Sequence, residues 1–143
     1  MLFENQDTPV SLAEIQSLEA ELGIRFPDSL KKLFLENNGG SPIPYVLRTE
    51  DHYTTVSETL PMKSSKGRGT AIDSYKTLVL KRNLVPRQLF PFAVDSGGDY
   101  FFVDCTPSRE LVYLYKADCT FGENLSNLCM SLENFWNSLV DEE

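Results

Sequence analysis

The sequence is poor in the residue types on which most catalytic and metal chemistry rests. It has one histidine (His52), one tryptophan and three cysteines (Cys105, Cys119 and Cys129) in 143 residues. Three is an odd number and no pair has C-x-x-C spacing. This speaks against a disulfide framework and against a cysteine-rich zinc site, and leaves reduced, mostly buried thiols as the expectation. No apolar run reaches the roughly 18 residues of a membrane span, and no basic and apolar leader opens the chain. These absences predict a soluble, cytoplasmic protein without membrane contact. Gly and Pro, eight of each, are scattered, which excludes collagenous and low-complexity chains. Basic residues are scarce, 13 against 21 acidic, for a net charge of −8. That balance argues against direct binding to nucleic acid or anionic lipid and favours a cationic partner.

What is present fits one domain spanning residues 1–143, 41% hydrophobic and 11% aromatic. A chain of this length buries about two-thirds of its extended surface on folding. Charge is uneven along it: residues 1–50 sum to −4, residues 51–93 to +4 and residues 94–143 to −8. Ser11 and Glu14 have capping-box spacing ahead of Leu12, Ile15, Leu18 and Leu22 on one helical face, with Gly23 as the stop. A second helix starts at Pro27 and carries Leu30, Leu33 and Phe34. Asn38, Gly39 and Gly40 end it, being residues that tolerate the left-handed conformation. Ile43–Leu47 and His52–Val56 read as short strands, and residues 63–69 as a mobile basic loop. A short helix is expected from Asp73 to Arg82, although the Leu78-Val79-Leu80 run also suits a strand.

Phe90–Val94, Tyr100–Asp104 and Leu111–Tyr115 are rich in aromatic and β-branched residues and are joined by short connections, the signature of an antiparallel three-strand meander. A last helix follows, with Ser131 as N-cap and Leu132, Phe135, Trp136, Leu139 and Val140 on its buried side. The fold class is therefore α+β: a central antiparallel sheet packed with helices from the amino-terminal, middle and carboxy-terminal segments.

No catalytic constellation emerges. His52 lies beside Glu50 and Asp51, without a nucleophile motif such as G-x-S-x-G. Lys66-Gly-Arg-Gly-Thr70 lacks phosphate-loop spacing. Asp95-Ser-Gly-Gly-Asp99 offers two carboxylates on a tight loop but none of the further ligands of a calcium loop, and a hairpin turn explains it. The chain is read as neither an enzyme nor a cofactor or metal binder. The meander strands carry the more informative anomaly. They are apolar at both phases of the two-residue period, so both sheet faces receive large side chains. One face either is covered by the middle segment or forms an aromatic docking surface rimmed by acids.

The sequence resembles the SUKH superfamily of Smi/Knr-type domains. The resemblance lies in the Gly23-Ile-Arg-Phe-Pro27 connection with the helix ending Glu36-Asn-Asn-Gly-Gly40. It continues in Phe90-Pro-Phe-Ala-Val-Asp-Ser-Gly-Gly-Asp-Tyr100, and in Val112–Tyr115 followed by Ser131-Leu-Glu-Asn-Phe-Trp136. It implies an α+β fold and a binding role: bacterial members are typically immunity proteins that neutralise a cognate toxin, often a nuclease, and fungal members regulate the cell wall. It supplies no catalytic residues. The expectation is a monomeric or weakly dimeric immunity protein for a basic toxin, the alternative being a regulatory interaction module. Its expected contacts are Asp95, Asp99, Asp104, Tyr100, Tyr113 and Tyr115, set by the Gly97-Gly98 turn, with Tyr45, Tyr53 and the 63–69 loop adding specificity.

Overall fold

A computed structural model describes residues 1–118 and 124–142. The chain opens with strand β1 (Leu2–Glu4), then helices α1 (Leu12–Leu22) and α2 (Asp28–Glu36). Strands β2 (Ser41–Ile43), β3 (Val46–Arg48) and β4 (Tyr53–Thr59) follow. Next is α3 (Ala71–Ser74), which continues as a π-helical stretch over Tyr75–Lys81, and then β5 (Leu89–Asp95), β6 (Tyr100–Asp104), β7 (Leu111–Tyr115), β8 (Leu125–Ser131) and α4 (Leu132–Ser138). β3 to β8 form one antiparallel sheet in sequence order, and β1 pairs with β2 in a second, two-stranded sheet. The fold is mixed α+β with a central antiparallel sheet, as expected.

The helix signals act as the sequence suggests. Ser11 Oγ accepts from the Glu14 amide while Glu14 Oε1 accepts from the Ser11 amide, and Gly23 closes α1 at φ 68°. Along α1 only Ile15 is fully buried, and Leu12, expected on the inner face, is exposed. Pro27 takes the N-cap position of α2, one residue before the helix proper. Ser131 caps α4 by accepting from the Asn134 amide, and Val140 lies beyond that helix and is exposed.

Three expectations change. The helix expected at Asp73–Arg82 begins at Ala71, capped by Thr70, and its second half is π-wound, the Arg82 amide reaching Thr77 O. The three-strand meander is part of a six-strand one, because Leu125–Ser131 pairs with β7 instead of running as loop into α4. The basic 63–69 loop is tied down: Asp7 accepts from the Ser64 hydroxyl and from the Ser65 amide and hydroxyl, and Lys66 Nζ reaches Gln6 O at 2.8 Å.

One sheet face carries the core. Phe26 packs on Phe90 at 4.8 Å between ring centroids, and Tyr75 meets the same ring at 5.2 Å. Phe135 of α4 lies 5.6 Å from Phe92 and 5.2 Å from Phe101. Trp136 bridges Phe92 to Phe3, the inward residue of β1, in an edge-on contact of 5.3 Å. Of the cysteines, Cys105 is buried and its thiol is pushed up to about 12 by burial first and by Asp104 second. Cys129 is exposed, against expectation, and Cys119 lies outside the described residues. In a Cys119→Ser protein, one thiol is expected to react quickly with an aromatic disulfide reagent at pH 8 and the other only on unfolding. Two fast thiols would contradict this burial.

Candidate interaction surface

The Gly-rich turn is organised by Asp95. Its carboxylate accepts from the Gly97 amide at 2.9 Å, the Asp99 amide at 2.8 Å and the Thr54 hydroxyl at 3.0 Å. Gly98 supplies the reversal at φ 91°, a conformation costly for a residue with a Cβ. The Ser96 and Thr55 hydroxyls lie 2.7 Å apart, and Asp99 accepts from the Ala117 amide at 3.1 Å. The turn is thus held to β4 on one side and to the chain after β7 on the other. Asp95 is buried by this role, whereas Gly97 and Gly98 are exposed and Asp99 is half-buried.

The tyrosines gather on the sheet face opposite the helices. Tyr100 pairs with Tyr115 and Phe102 with Tyr113 across the β6–β7 register, which sets all four side chains on one face. Phe102 is shielded by its neighbours, Tyr100 at 6.3 Å and Tyr115 at 6.5 Å. Tyr100 and Tyr113 remain half-buried and Tyr115 is buried. Asp104 ends the same strand about 13 Å from Tyr100, four residue steps of extended chain. It is buried and accepts from the Thr106 amide at 2.8 Å. The structure therefore brings together Gly97, Gly98, Asp99, Tyr100, Tyr113 and Tyr115. Asp95 serves the turn from inside, and Asp104 sits at the opposite end.

A second surface lies on the β1–β2 sheet. Leu2 lies opposite Ile43 in the β1–β2 pair, so both point to the outer side of that small sheet, while Phe3 and Pro42 point inward and are buried. Val140 bridges Val46, its amide donating to Val46 O at 2.9 Å. Leu2, Ile43, Tyr45 and Val140 are all exposed. Ile43, Tyr45 and Ser96 line a shallow hollow of about 540 Å³ with Glu4 and Asp141 at its margin. Tyr45 was the one member legible in the sequence, because β1 and β2 are three-residue strands with no period to read. Tyr53 is exposed and carries Arg48 over its ring at 5.2 Å.

His52 is half-buried in a tight turn, the Thr49 amide donating to its carbonyl at 2.7 Å. Among the described residues, no three His, Cys, Asp or Glu side chains cluster so as to hold a metal ion, and no helix is long and apolar enough to cross a membrane.

No curated protein matches the chain. The family model described as the SMI1 / KNR4 family (SUKH-1) matches residues 9–138, which takes in every helix and all strands but β1. The chain belongs to this family of SUKH domains, non-enzymatic interaction modules known for toxin-immunity and protein-binding roles.

Proposed function

We propose that this protein is an immunity protein that binds a cognate bacterial toxin stoichiometrically and blocks its active site or substrate groove. A basic nuclease is the partner class that its charge fits. The observation that carries this reading is its membership of the SUKH family, and the net charge of −8 supports it. The contact surface proposed here is the exposed backbone of Gly97 and Gly98 with Asp99, Tyr100 and Tyr113, set from inside by Asp95 and flanked by Tyr115, while Asp104 lies at the far end of β6 and takes no part. Acidic groups on such a face speed encounter with a basic partner, and aromatic contacts slow its release.

The test is co-expression with the toxin domain encoded beside the gene. Wild-type protein is expected to restore growth and to form a one-to-one complex. An Asp99→Lys/Tyr113→Ala variant is expected to lose protection while staying folded, its melting temperature falling by only a few degrees through loss of the Ala117 contact and of Tyr113 packing. Asp95→Lys behaves differently: it breaks two hydrogen bonds inside the turn and one to Thr54 of β4, and is expected to cost about 2–3 kcal/mol of stability. Failure of the wild type to bind or protect would refute the immunity reading and leave the regulatory module as its replacement.

A further inference from the structure

Among the described residues nothing covers the outer side of the β1–β2 sheet, and its composition states what would suit it. Ile43 and Tyr45 form the apolar part of the hollow, with Leu2 opposite Ile43 in the strand pair, and the exposed carboxylates Glu4 and Asp141 line the same hollow. No lysine or arginine lines the adjoining hollow. Several cations of the chain are engaged elsewhere: Lys63 with Glu14 at 2.7 Å, Lys76 with Glu21 at 3.0 Å, and Arg48 over Tyr53. The groove between α2 and α4, with Trp136 in its lining, differs in this respect, because Lys32 stands there beside Glu36 and Glu133.

We infer that this outer face is the anchoring site for the toxin, taking a cationic segment that inserts an apolar side chain between Ile43 and Tyr45 and sets lysines or arginines against Glu4 and Asp141. The inference rests on the immunity reading and names where the partner is held most firmly. An apolar centre inside a charged rim is the arrangement in which a few buried side chains dominate affinity and the rim governs encounter. A second copy of this chain is a poorer occupant, since pairing like faces sets Glu4 and Asp141 against carboxylates of their own kind. The hollow is continuous with the Gly-rich turn through Ser96, whose hydroxyl meets Thr55, so one partner can span both surfaces. The face is held in place from behind by Phe3 against Trp136.

The experiment measures binding of the adjacent-gene toxin domain by titration calorimetry and stopped-flow at two salt concentrations. Ile43→Asp and Tyr45→Ala are each expected to weaken binding by about tenfold or more. The Glu4→Lys/Asp141→Lys variant, whose sites are exposed and leave folding intact, is expected mainly to slow association and to flatten its salt dependence. If these variants bind as wild type while Asp99→Lys/Tyr113→Ala does not, the immunity reading stands and this site is wrong. If wild-type protein fails to bind the toxin domain, the immunity reading falls and takes this inference with it. Sedimentation showing a wild-type dimer that Ile43→Asp dissociates would assign the face to a second copy and also overturn it.

Discussion

Phe135→Ala is expected to lower stability by about 3–5 kcal/mol, the range for deleting a fully buried aromatic ring. Phe135 has no exposed surface and meets three rings, those of Phe92, Phe101 and Trp136, within 5.1 to 5.6 Å. α4 has seven residues and holds to the sheet through this side chain together with Leu132 and Trp136. Loss of the ring leaves a void under β5 and β6 that such rigid neighbours fill poorly, and each lost edge contact adds about 0.5–1.5 kcal/mol to the loss of buried area. A domain of this size has a total stability of about 5–15 kcal/mol, so the variant retains little margin at 37 °C. Urea unfolding checks the magnitude, with Phe135→Leu expected to recover about half of the loss. A loss below about 1 kcal/mol would mean that α4 is not the cover of this face. Trp136 lies on the same helix and supports Phe3, so loosening α4 is also expected to disturb the outer face of β1.

Legibility in the sequence followed the range of the interactions. The caps at Ser11, Gly23 and Ser131 are legible because a cap is decided within four residues. β5, β6 and β7 are legible because Phe90–Val94, Tyr100–Asp104 and Leu111–Tyr115 concentrate the side chains that suit a pleated sheet. β8 was not legible. Leu-Ser-Asn-Leu-Cys-Met-Ser has no β-branched or aromatic residue, only Leu128 is buried, and Cys129 at φ 58° breaks the alternation. Its strand character comes from β7, whose free edge it pairs. β1 is a like case, formed by pairing with residues some forty positions away.

For the candidate site, residue identity was readable but orientation was not. The two acids of the Gly-rich turn look equivalent in the sequence. In the fold Asp95 turns inward to three donors, whereas Asp99 is half-buried and takes a single amide. Likewise Tyr113 and Tyr115 share a face by their spacing, yet burial separates them, because Tyr115 lies edge-on to Phe102. The outward apolar pair of the β1–β2 sheet carried little signal: Ile43 opens an expected short strand, but its pairing with Leu2 appears only in the register.

Asn38 shows the same limit, and its replacement is expected to be nearly as costly as that of Phe135. It reads as a helix stop that tolerates positive φ, but only Gly39 and Gly40 adopt that conformation. Asn38 is instead a buried clamp. Its amide nitrogen donates to Thr8 O at 2.6 Å and Lys63 O at 2.9 Å, and its side-chain oxygen accepts from the Met62 amide at 2.7 Å. The adjoining Asp7 ties in Ser64 and Ser65, so the two side chains fasten the 63–69 loop to the amino terminus. Asn38→Asp is expected to cost about 2–4 kcal/mol at pH 7, because the buried side chain no longer donates to the two partly buried carbonyls and sets a carboxylate oxygen against them instead. The pH dependence separates this explanation from simple misfit. Asp7 is held well below the usual carboxylate range, chiefly by the Ser64 hydroxyl and next by the Ser65 amide. Its folded value is the depressed one, so its contribution is complete above the unfolded value of about 3.9 and is lost as pH falls through and below it. Wild-type protein is therefore expected to weaken in acid. The introduced carboxyl does the reverse: buried against carbonyls, it takes up a proton readily and regains one donor as pH falls. The gap between variant and wild type should accordingly narrow from pH 7 to pH 4 in urea titrations. A gap that stays constant or widens would show that the clamp does not work through its donated hydrogen bonds.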